Sequence, residues 1–128
     1  MKEYSYENLK IFSKTEIIND ARVRILVMEG KINNQNSHIV SADMEMEWDD
    51  DVFNAIVDMT KLEYINSMGL AAILSMIEKN SENRGKFLIG GMNHYIEKII
   101  QLVEVSNKVE IFSSLQEAVN YFKTGSAL

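Results

Sequence analysis

From Leu9 to Phe122 the apolar residues keep changing their spacing, from every second position to every third or fourth and back. Period two belongs to strands and a period near 3.6 to helices, so such a chain is restricted to folds in which the two take turns. "LKIFSKTEII" (Leu9 to Ile18) alternates roughly, Asn19-Asp20 supplies turn chemistry, and "ARVRILVM" follows with Val23, Ile25 and Val27 on one face and Arg22 and Arg24 on the other. Two such runs across a tight turn predict an antiparallel hairpin, with Gly30 ending the second strand. Asn36 to about Trp48 reads as a helix through Ile39, Ala42 and Met46. "VFNAIVDM" is a short apolar run suited to a strand buried on both faces.

Helical spacing returns at Leu70, Ile73, Leu74 and Ile77, with Gly85 as its stop. "KFLIG" predicts the next strand and "NHYIEKIIQLVEV" the next helix, capped by Asn93. "VEIF" is a short strand. "SSLQEAVNYF" opens a last helix with a capping box formed by Ser114 and Glu117. The order β-β-α-β-α-β-α-β-α predicts an α/β fold: a mixed, mostly parallel sheet with an N-terminal antiparallel hairpin and about four helices.

Composition narrows the function classes. The chain has 128 residues, no proline, no cysteine and a formal net charge of −6. That length suits one domain over residues 1–128, with a core at about 9–122. Without cysteine there is no disulfide or thiolate metal site. The acidic balance argues against a nucleic-acid surface, and no window reaches the roughly 18 apolar residues of a membrane span. "MKEYSYENLK" lacks an apolar signal core, so the expected location is cytoplasmic. The acidic run "DMEMEWDDD" lacks the spacing of a calcium loop, and its aspartates are expected in a solvated loop. Trp48 in that run is either a core anchor or an exposed contact.

The chemistry concentrates in "EYINSMGLAAIL", Glu63 to Leu74. A serine where a strand gives way to a helix can cap that helix, contributing about 1 kcal/mol. The unpaired N–H groups of a first turn also tolerate a phosphate. A third reading is a nucleophile elbow, but "INSMG" lacks the first glycine of that motif, and His38 and His94 sit in no recognisable triad context. "IGGMN" lacks the spacing and lysine of a nucleotide loop.

"VMEGKIN", "IVDMTKLEYINSMGLAAIL" and "IFSSLQEAVNYF" together resemble the STAS domain, and more narrowly the anti-sigma factor antagonists of bacterial sporulation and stress responses. The resemblance spans about Leu9 to Phe122. It implies that Ser67 is phosphorylated by a partner that is both anti-sigma factor and serine kinase. A PP2C-type phosphatase then restores the binding-competent antagonist. The family's Asp before this serine is Asn66 here, and its Gly-Glu-Leu-Asp reads Gly30-Lys31-Ile32-Asn33. Asn33, Asn66 and Gly69 are therefore expected around the phosphosite, and the two amides are expected to hydrogen-bond there. Met68, Gly69, Ala72 and Met76 are expected at the partner surface, the methionine-rich stripe being the alternative to a flank of the core. The resemblance implies no catalysis, cofactor or metal, no nucleic-acid or membrane partner, and a monomer or weak dimer. The alternative function is an unphosphorylated STAS interaction or scaffold module in which Ser67 is only a cap.

Overall fold

The computed structural model describes residues 1–103 and 108–125. Its elements are β1 (Lys2–Tyr6), β2 (Leu9–Ile18), β3 (Ala21–Ile32), α1 (Ser37–Glu47), β4 (Ala55–Ile65), α2 (Ser67–Glu82), β5 (Phe87–Met92), α3 (His94–Leu102), β6 (Glu110–Phe112) and α4 (Leu115–Thr124). One six-stranded sheet runs in the order β1-β2-β3-β4-β5-β6. Its first two pairings are antiparallel, and the other three are parallel. The α/β reading with a hairpin start and four helices holds. Its hairpin is a three-strand meander, because β1 adds an edge strand that the polar "KEYSY" did not announce. The C-terminal part of the predicted third helix, Glu104 and Val105, lies outside the described residues.

Local chemistry explains most boundaries. Asn19 and Asp20 both adopt positive φ, which a two-residue hairpin turn needs, and Ile18 pairs with Ala21 across it. Asn93 caps α3 by accepting from Ile96 N, and Ser114 caps α4 by accepting from Glu117 N. The second strand does not stop at Gly30. Gly30 sits at φ 118, where a Cβ would lie 2.2 Å from the Asn8 carbonyl oxygen, and the strand passes beneath that turn to Ile32. Alongside it β4 also runs on past the predicted run "VFNAIVDM", pairing Tyr64 with Lys31 and Ile65 with Ile32.

Alternation along β3, β4 and β5 sends side chains to two apolar clusters, one on each face. The larger holds Leu26, Met28, Val57, Met59, Phe87 and Ile89 under α1, α2 and α3. The smaller holds Val23, Ile25, Ile56 and Leu88 under Ala118 of α4. Helix α1 has the predicted period but a different phase. Val40, Met44 and Trp48 are buried, while Ile39 is 57% and Met46 74% exposed. Trp48 is thus a core anchor, its indole N–H donating to buried Asn80 at 2.7 Å.

The buried phase carries Glu47 to the N-terminal end of β3, where Arg24 is 1% exposed. Arg24 donates to Glu47 at 2.6 Å and to Asp50, and its guanidinium lies 4.5 Å from the Trp48 ring centroid. Ser13 and Tyr4 also donate to Glu47, and Tyr6 donates to Asp43 at 2.7 Å, which fastens the edge strand to α1. Burial opposes ionisation of Glu47, but hydrogen bonds from Ser13, Tyr4 and Arg24 outweigh it and hold the carboxyl below its usual range. Burial and donation to Asp43 push the Tyr6 hydroxyl far above the ordinary phenol range. The three aspartates that follow α1 do form a solvated loop: Asp49, Asp50 and Asp51 are all exposed, and from that loop Asp50 and Asp51 accept from Arg24 and Arg22.

Candidate functional site

A single residue, Asn66, separates β4 from α2. Its extended backbone (φ −92, ψ 179) and side chain make it the N-cap. The Asn66 Oδ1 accepts from Gly69 N at 2.9 Å, and Nδ2 donates to Asn34 Oδ1 and Ser37 Oγ, each at 3.1 Å. Both N–H donors of that amide and one lone pair of its oxygen are thereby committed. Ser67 is consequently not the cap. It occupies the first helical position, is exposed, and its hydroxyl makes no hydrogen bond among the described residues.

The backbone under this turn is held closely. Asn66 N donates to the Ile32 carbonyl at 3.0 Å, which ties the entry to α2 to the end of β3. Gly69 is buried, and a Cβ there would come within 2.6 Å of Ile32 Cγ2 and 2.9 Å of Ile65 Cγ1. Its absent side chain lets α2 press onto the ends of both strands. Gly69 supports the serine from below and offers no contact surface of its own.

Around Ser67 opens a groove of about 910 Å³. Asn34 lines it from the turn between β3 and α1, Ser37 and His38 from the start of α1, Tyr64 from β4, Ser67 and Met68 from α2, and Tyr95 from α3. Tyr64 and Tyr95 stack with ring centroids 5.9 Å apart, both exposed. Among the described residues, no Asp, Glu, Lys or Arg lines the groove. Its chemistry is that of neutral amides, hydroxyls, one imidazole and an apolar aromatic flank.

The predicted residues fall into two groups. Ser67, Asn66 and Met68 meet in the groove. Asn33 does not join them: its Oδ1 accepts from Gln35 N at 3.0 Å in a local turn, and the neighbouring Asn34 takes the place expected for it. Met76 is 5% exposed and, with half-buried Ala72, faces Met44 and Trp48 across a small cavity between α1 and α2. The methionine stripe therefore leaves the surface after Met68 and enters the helix–helix contact. Of the two histidines, His38 reaches the groove and His94 does not; His38 makes no hydrogen bond to Ser67, and none to a third group that would orient it.

Asn34, Ser37, Tyr64 and Tyr95 had no signal in the sequence beyond exposure-compatible polarity. They converge only because the ends of β3 and β4 and the starts of α1, α2 and α3 share one edge of the sheet.

The STAS domain family pattern matches residues 14–118. This chain belongs to that family. A protein named as a candidate anti-sigma factor antagonist in Thermotoga maritima is 25% identical over 105 residues, covering 81% of this chain and 91% of the relative. The crystal structure of an anti-sigma factor antagonist from Mycobacterium paratuberculosis superposes with a TM-score of 0.69 at 17% identity, covering 88% of this STAS chain and 94% of that one. The phosphorylated form of the Bacillus cell fate determinant SpoIIAA gives a TM-score of 0.63 at 13% identity, with coverages of 85% and 97%. Among the described residues, no helix of the domain is long and apolar enough to cross a membrane.

Proposed function

We propose that this STAS domain is an anti-sigma factor antagonist that binds a serine-kinase anti-sigma factor, controlled by reversible phosphorylation of Ser67. The observation that carries the reading is the division of labour at the start of α2. Asn66 does the capping, so the Ser67 hydroxyl is exposed, unbonded and available at the mouth of an uncharged groove. The SpoIIAA structure in phosphorylated form is the same fold carrying such a modification.

In the kinase reaction the Ser67 oxygen attacks the γ-phosphorus of ATP, ADP departs, and the hydroxyl proton passes to a base of the kinase. A PP2C-type phosphatase reverses the state by hydrolysis. The phosphate brings between about −1.5 and −2 charges to a surface without charged side chains, next to the free N–H groups of a helix start. That favours the modified serine locally and changes what docks on Tyr64, Met68 and Tyr95, with no change of fold.

Intact mass after incubation with the partner kinase and ATP tests this. One added phosphate, about 80 Da, is expected on the wild type and not on Ser67→Ala. Ser67→Asp is expected to weaken kinase binding while keeping the native spectrum. An unmodified wild type that still binds the partner would instead establish the fixed interaction module.

A further inference from the structure

Phosphoserine switches are commonly read by cationic side chains, yet among the described residues no lysine or arginine lines the groove around Ser67. It has one imidazole. His38 is exposed in the first turn of α1, lines the same groove as Ser67, and makes no hydrogen bond or ion pair among the described residues. The two residues are linked through the residues that precede them. Ser37 precedes His38, Asn66 precedes Ser67, and the Asn66 amide donates to the Ser37 hydroxyl at 3.1 Å. The two side chains thus leave adjacent backbone steps of two helix starts that are hydrogen-bonded together.

We propose that His38 is this chain's own partner for a phosphate on Ser67, its imidazolium N–H donating to a phosphoryl oxygen. The inference rests on the phosphorylation reading and names the group that answers the modification inside the domain. Among the described residues, no carboxylate lines the groove to compete for the imidazolium. The first turns of α1 and α2 hold no acidic residue. Strand β4 and helix α3 present Tyr64, Tyr95 and Ile99 to the groove, while Glu63, Glu97 and Lys98 of those elements do not line it. Histidine also makes the pairing conditional. The pair holds only while the ring carries its proton and the phosphate its second charge, and it is lost when either condition fails.

The test uses the full chain with phosphoserine placed at position 67 during translation, so no kinase is required. Phosphorus NMR follows the second ionisation of the phosphate between about pH 5 and 8 in the wild type, His38→Gln and His38→Lys. In the wild type the phosphate should bind its last proton about threefold more weakly than in His38→Gln, as expected for one cation a few ångströms away in a solvated groove. His38→Lys, a cation that does not titrate in this range, should keep the proton affinity low. The His38 ring should in turn bind its proton about threefold more tightly in the phosphorylated chain than in the unmodified one. Superimposed phosphate titrations in wild type and His38→Gln, or failure of His38→Lys to restore the lowered affinity, would overturn the pairing. Those outcomes are independent of the mass experiment, which reports whether a kinase modifies Ser67 at all.

Discussion

Helix α1 joins two polar regions of opposite character. Its first turn opens on the groove, where Asn34, Ser37, Asn66 and Ser67 are neutral and partly or fully exposed apart from Ser37. Its last turn delivers Glu47 to Arg24, a buried ion pair with tyrosines, a serine and a tryptophan packed around it. The charged end couples three elements far apart in sequence and is costly to disturb. The neutral end holds one short turn by directional hydrogen bonds and leaves its serine uncommitted. A domain built this way can gain charge at one end while the electrostatics that hold it together lie at the other.

The sharpest way to break the comparison is Arg24→Ala, which leaves Glu47 buried without its cation. A loss of about 3 kcal/mol or more in chemical denaturation is expected; a loss below about 1 kcal/mol would mean that the charged end does not anchor the fold. Gly69→Ala should cost about 1–3 kcal/mol, since the new methyl meets Ile32 and Ile65 and must push the start of α2 outward. Calorimetric melting would show it, together with amide shifts confined to the groove.

The acid response separates the two ends by sign. Glu47 has a lowered folded value, so its contribution is complete above the ordinary range near 4.5 and is lost as pH falls through that lowered value. Glu47→Gln should flatten the acid limb of stability, whereas Asn66→Asp, a carboxylate able to cap the same helix, should steepen it. Asn66→Ala should cost about 1 kcal/mol through the lost cap alone. The smallest effect belongs to Ser67→Ala, within about 0.5 kcal/mol by melting, because its hydroxyl holds nothing in the fold. A loss of 1 kcal/mol there would return the capping role to the serine.

Element order was legible because strands buried on both faces and capped helices carry their signals locally: "AIV" and "FLI" are apolar throughout, and Asn93 and Ser114 cap as their spacing indicates. Two features were not legible for one shared reason. Strand β1 turns Tyr4 and Tyr6 inward only because Glu47 and Asp43, on a helix some forty residues later, accept from them. Helix α1 could have buried Ile39 and Met46 or Val40, Met44 and Trp48, and the choice fell to Arg24 and Asn80, which bind Glu47 and Trp48. Both are decisions of tertiary partners over local periodicity. At the site, the motif located the serine but exchanged the roles of neighbours. Asn66 caps in place of Ser67, and Asn34 rather than Asn33 meets it, because the Asn33 side chain closes its own turn.

The missing side chain at Gly69 has a consequence for how any signal leaves this domain. With α2 pressed onto Ile32 and Ile65, there is no slack beneath the first turn for an added group to be drawn inward or for the helix to rock away from it. Whatever is attached to Ser67 is displayed rather than stored. Under the proposed phosphorylation the domain would act as a rigid signpost: the message would be written on the outside, and the movement that follows would belong to the molecule that reads it.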